Sequence, residues 1–120
     1  MNTDYNENLL FNDLSIDREA YKKQTRNIEG SSGWSVDNRG TVYNSRGKPV
    51  NCGIDWDDSP YTKVATPTGR IHRYINDIVL CSFIGPPPSD KHIPWHRDGD
   101  KSNSRLDNLS WVVLKKGRMT

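Results

Sequence analysis

His92-Ile93-Pro94-Trp95-His96-Arg97-Asp98-Gly99-Asp100-Lys101-Ser102-Asn103-Ser104-Arg105-Leu106-Asp107-Asn108-Leu109-Ser110-Trp111-Val112-Val113 is the stretch on which the fold turns. Its first part, Ile93 to His96, is apolar and ends on a histidine. The middle, Arg97 to Asn108, is rich in Asp, Gly, Ser and Asn. These residues favour turns, because glycine tolerates positive φ and short polar side chains bond nearby backbone. The last part, Leu109 to Leu114, is apolar and suited to extended structure. The reading is two short strands joined by a polar loop. A histidine placed where a strand meets a loop is held rigidly and still reaches a ligand.

The run from Trp95 to Trp111 resembles the signature of the HNH endonucleases, in particular the phage homing branch. That signature places a histidine before Asp-Gly-Asp, then two asparagines, then Leu-x-Trp. Here it reads His96-Arg97-Asp98-Gly99-Asp100, then Asn103, then Asn108-Leu109-Ser110-Trp111, with the spacing kept and no gap. The resemblance implies an α+β fold with a small ββα-metal finger. It implies His96 as the general base that activates water, with Asn103 and Asn108 bracing the loop and orienting His96. It also implies one Mg²⁺ or Mn²⁺ ion on the scissile phosphate.

The departures lie at the metal. The family carries a metal-binding Asp, His or Asn just before the histidine. Here Trp95 stands there, with one N–H donor and no acceptor. The family's other ligand, an Asn or His on the helix after the Trp, falls near Gly117, and the run to Thr120 leaves little length for that helix. Asp98 and Asp100 are then the remaining metal candidates. In the family these positions mostly stabilise the loop, so using them needs a rearranged loop.

Composition bounds the rest. One domain is expected for 120 residues. With 32% hydrophobic residues and a mean hydropathy of −0.87, the core must be small. The net charge of +2 leaves no strong overall attraction for nucleic acid, so local clusters must supply it. No apolar run is long enough to span a membrane. The first thirty or so residues show no basic and apolar leader pattern, so no secretory signal is expected. Cys52 and Cys81 suit reduced, buried thiols of a cytoplasmic protein better than a disulfide framework. A metal site from Cys52, Cys81, His72 and His92 has no supporting CxxC or HxxxH spacing.

Taken in order, residues 1–29 read as an N-terminal extension. It has an apolar patch at Leu9-Leu10-Phe11 and a short helix from about residue 16 to residue 26. Ser15 would cap that helix, Asp17 and Glu19 suit its start, and Lys22, Lys23 and Arg26 suit its end. Residues 30–120 read as the HNH-like domain, with a hairpin region at 33–75, a helix at 76–83 and the finger at 92–120. Trp34-Ser35-Val36-Asp37-Asn38-Arg39-Gly40-Thr41-Val42 is a hairpin signal. It resembles the Tyr-x-Val-Ser-Asn-x-Gly-x-Val module found beside HNH motifs, with Trp34 for Tyr and Asp37 for Ser. Residues 45 to 59 read as loop, with an acidic patch at Asp55, Asp57 and Asp58 that is most simply a solvated turn.

Tyr61 to Thr66 and Arg70 to Ile75 read as a second hairpin. Arg70, His72 and Tyr74 share one face, a combination that suits phosphate contacts and base stacking, or an ordinary wet sheet face. Asn76 reads as the cap of the helix that follows. That helix resembles the family's Val-His-x-Leu-Val-Ala-x-Ala-Phe segment, with Asn76 in place of the histidine. Pro86-Pro87-Pro88 ends it. Arg97, Lys101 and Arg105 in the finger, with Lys115 and Lys116 after it, complete the candidate nucleic-acid contacts.

Two function classes follow. One is an HNH endonuclease, nicking or cutting both strands, with His96 as base and a divalent ion. The other is a binding protein on the same fold that has lost catalysis, its partner being DNA or a host protein. DNA is the expected partner, with a host protein as the alternative; no membrane association is expected, and the location is cytoplasmic, that of the host cell if phage-encoded.

Overall fold

The computed structural model describes residues 22–113. The chain has an α+β fold; in the described residues three small antiparallel sheets rest on one helix. The first sheet joins β1 (Thr25–Asn27), β2 (Ser35–Asp37) and β3 (Val42–Tyr43), with Arg26 and Val42 both opposite Val36. The second joins β4 (Gly53–Ile54), β5 (Pro60–Thr66) and β6 (Gly69–Tyr74), with Lys63 opposite His72. The helix α1 (Ile75–Phe83) follows without a break. The last sheet is the ribbon of β7 (His92–His96) and β8 (Leu109–Val113), in which His96 faces Leu109.

Helix α1 touches strands of all three sheets. Its Ile75, Ile78, Val79 and Leu80 are buried against Ile28, Trp34, Val36, Val42, Val64 and Leu109. Each such side chain removed from water contributes about 1.5–3 kcal/mol, and this cluster is the core that positions everything else. The helix ends where Ile84 and Gly85 both donate to the Leu80 carbonyl. Trp111 then ties the exit down, its Nε1 donating to the Gly85 carbonyl at 3.0 Å. Among the described residues no helix is long and apolar enough to cross a membrane.

Asp37 explains why the first hairpin turns where it does. It is 2% exposed, yet fully used. Its Oδ1 accepts from the Arg39 and Thr41 backbone N–H groups, and its Oδ2 accepts from the Tyr43 hydroxyl at 2.7 Å. A carboxylate in place of a serine thus holds both arms of the turn. Asn38 and Gly40, beside it, dock on the finger. Leu106 N donates to the Asn38 carbonyl at 2.9 Å, and a Cβ on Gly40 would stand 2.9 Å from the Ser104 carbonyl oxygen.

Several sequence expectations need correction. The helix expected over residues 16 to 26 lies mostly outside the described residues, and its last two positions are strand β1. Strand β1 forms because Asn38 captures the chain just before it: Gln24 N donates to Asn38 Oδ1 and Asn38 Nδ2 donates to the Lys22 carbonyl. The stretch read as loop holds β4, and Tyr43 bridges Pro49. Asn76 is not the helix cap; the cap position is Tyr74, with no side-chain bond, and Asn76 sits inside the first turn. Both cysteines are free, but Cys52 is exposed rather than buried. The Leu9-Leu10-Phe11 patch, Lys115 and Lys116 lie outside the described residues.

Candidate functional site

His96 is the last residue of β7, and the loop that follows is closed by Asn108. Arg97 N donates to the Asn108 carbonyl at 2.7 Å. The Asn108 side chain is 8% exposed and lies across the mouth of the loop. Its Oδ1 accepts from Asp98 N, and its Nδ2 donates to Asp98 Oδ1 and to the Asn103 carbonyl. Asn103 Nδ2 donates to the other Asp98 oxygen at 2.9 Å. The three residues therefore form one closed network directly behind His96, and Gly99 N caps the His96 carbonyl at 3.0 Å.

Asp98 is the hub of that network. Besides Asn103 and Asn108 it accepts from Asp100 N at 2.8 Å. The Asn103 amide first, and then the Asp100 N–H, hold its carboxyl below the ordinary carboxylate range. Asp100 turns inward as well, accepting from both the N–H and the hydroxyl of Ser102.

His96 is half-buried, and burial pushes its imidazole below the usual histidine value of 6.5, with Asp98 and Asp100 pulling the other way. At neutral pH the ring is uncharged, the state a proton acceptor needs. A neighbour that sequence reasoning assigned to capping sits beside it. Asn76 Nδ2 lies 3.5 Å from His96 Nε2. The signal was present, since Asn76 stands where the related segment carries histidine, but nothing in the sequence alone showed that α1 begins two residues earlier.

Among the described residues the donor set does not fit a divalent ion. Trp95 offers no acceptor, and it points to the outer face of the ribbon, 46% exposed with Ile93. The Asp98 carboxylate is taken by hydrogen bonds on both oxygens. Among the described residues no three His, Cys, Asp or Glu side chains gather as a metal site would need, and Cys52, Cys81, His72 and His92 are not brought together.

The candidate nucleic-acid contacts divide into two groups. Arg97 and Lys101 are exposed on the loop, and Arg105 is exposed and paired with Asp107 at 3.2 Å. Lys101 Nζ reaches the Asp57 carbonyl at 3.0 Å, joining the finger to the turn between β4 and β5. Arg70, His72 and Tyr74 lie on one face of the second sheet, as expected. There His72 stacks on Tyr61 at 4.3 Å and meets Tyr74 edge-on at 5.0 Å. The Tyr74 hydroxyl is committed to Asp55, which pushes its pKa up to about 12, and Asp55 Oδ2 also lies 4.0 Å from His72 Nε2. The face is therefore an aromatic array with a carboxylate at one end and Arg70 at the other.

No family model matches the chain, and no curated protein matches it. One solved structure is similar, described as "DNA binding and cleavage by the HNH homing endonuclease I-HmuI". The TM-score is 0.69 at 24% identity, over 80% of this chain and 56% of that one. The chain thus spans about half the length of the structure it resembles, and the likeness establishes an HNH-like fold.

Proposed function

We propose that the chain binds DNA through an HNH finger in which metal-dependent hydrolysis has been given up. Two facts support the DNA half of this reading. The similar solved structure is described as binding and cleaving DNA. The loop also presents Arg97 and Lys101 beside a neutral, half-buried His96. Such groups position a protein on the phosphate backbone without reading sequence. The observation that carries the second half is the Asp98 carboxylate, closed into the loop by Asn103, Asn108 and Asp100 N while Trp95 takes the place beside His96. In this reading a ring N–H of His96 donates a hydrogen bond to a phosphate oxygen, and the residue activates no water.

The test pairs binding with cutting. Fluorescence anisotropy with a labelled duplex should show binding that weakens steeply with salt. Supercoiled plasmid with Mg²⁺ or Mn²⁺ should stay intact for both the wild type and His96→Ala. Metal-dependent nicking that His96→Ala abolishes would overturn the loss of catalysis. Absence of any duplex binding at low salt would overturn the DNA reading, and a protein partner on the Ile93–Trp95 face would then come first.

A further inference from the structure

A groove apart from the finger loop opens between the first hairpin and the second sheet. Trp34, Asn44, Asn51, Gly53, Lys63 and Arg70 help wall it, and its volume is about 430 Å³. Trp34 lies at its base, 6% exposed. The Arg70 guanidinium carbon stands 5.9 Å from the centre of the Trp34 ring, and Arg70 Nη1 donates to the Lys63 carbonyl at 3.3 Å. The aromatic face and the carbonyl together hold the guanidinium in one place.

Lys63 pairs with His72 and Arg70 with Ala65, so the two cations are diagonal neighbours on one sheet face. Like charges at neighbouring positions of one face repel each other, a cost that a bound anion offsets. No Asp or Glu stands among the residues that wall the groove. One wall is bare backbone by necessity, because a Cβ on Gly53 would come within 2.7 Å of the Tyr61 ring. The space is too large for a lone phosphate and falls in the range of small-ligand sites.

The geometry points to a nucleotide subsite, with the phosphate held between Lys63 and Arg70 and the sugar or base lying toward the amides of Asn44 and Asn51. This inference rests on the DNA reading and adds to it a second anchoring point outside the finger. The same chemistry belongs to a nucleotide within a strand and to a free nucleotide.

The experiment follows the Trp34 indole N–H resonance while the protein is titrated separately with dTMP and with a short oligothymidylate. The variants are Lys63→Gln, Arg70→Gln and the pair together. Both probes should move the Trp34 signal. Each single variant should weaken oligothymidylate binding several-fold and lower the slope of log K against log salt by about one. A shift with the oligonucleotide alone assigns the groove to strand binding, and a shift with dTMP alone assigns it to free nucleotide. A Trp34 signal that neither probe moves, or a shift that survives the double variant, overturns the subsite. If Trp34 stays silent while a duplex still binds and Arg97→Ala weakens it, the groove fails and the DNA reading stands. If dTMP moves Trp34 and no duplex binds, the DNA reading fails and the groove stands.

Discussion

Asp98 does for the finger loop what a metal ligand would do only by leaving it. Its carboxylate collects donors from Asn103, Asp100 N and Asn108, and those bonds hold its pKa below the ordinary value of 3.8. A group depressed in this way stabilises the fold above its unfolded pKa, and the contribution is lost as pH falls through the folded value. Urea midpoints measured from about pH 4 down to about pH 2 should therefore fall less steeply in Asp98→Asn than in the wild type. Asn108 is buried and makes three of the loop's bonds, so Asn108→Ala leaves several groups unpaired and should cost about 2 kcal/mol in urea unfolding. His96 gives a second acid limb at higher pH. Its folded pKa lies below 6.5, so the unfolded chain takes up its proton first, and stability declines as pH drops below about 6.5 until the folded ring titrates too. The Cε1–H resonance of His96 should show a midpoint below 6.5, and a midpoint at or above that value would contradict the burial described here.

At the scale of elements, the first hairpin is a bracket for the finger. Gly40 has φ +90°, and a side chain there would press on the Ser104 carbonyl, which is backbone and has nowhere to go. Gly40→Ala should destabilise by about 2 kcal/mol and should shift finger-loop resonances, because both the strained φ and the clash act on the docking contact. Much of this was legible beforehand. The Asn-x-Gly turn, the second hairpin, the helix and the two finger strands were all readable from alternation, turn residues and the family likeness. Strand β1 was not, because Lys22, Lys23 and Arg26 read as the basic end of a helix, and nothing local marks Thr25–Asn27 as extended. Asn38, more distant in sequence, is what captures that segment. Asn76 was misread for a related reason: the true cap, Tyr74, lies only two positions before it, and the approach of β7 shows Asn76 to be a first-turn residue facing His96. The family likeness pointed to Asp98 as a loop stabiliser, but its particular partners, Asn103 and Asn108, meet it only once the loop has closed.

Among the described residues of the whole molecule, one short helix carries three sheets that do not pair with one another. Leu80, with none of its surface exposed, lies in the core they share. Leu80→Ala should cost about 3 kcal/mol, and tryptophan fluorescence and far-ultraviolet circular dichroism should lose their signals at one common urea midpoint. Separate midpoints would mean that the sheets hold together independently. The same arrangement bears on how the chain is made. Leu109 completes a core whose other buried members, among the described residues, all lie at or before Leu80 in the sequence. A ribosome that has released only the hairpins and α1 therefore holds a half-covered apolar helix, and the finger must emerge before that face is shielded. During synthesis β8 is the lid on this core, and a pause just upstream of it leaves that face exposed to aggregation or capture by a chaperone.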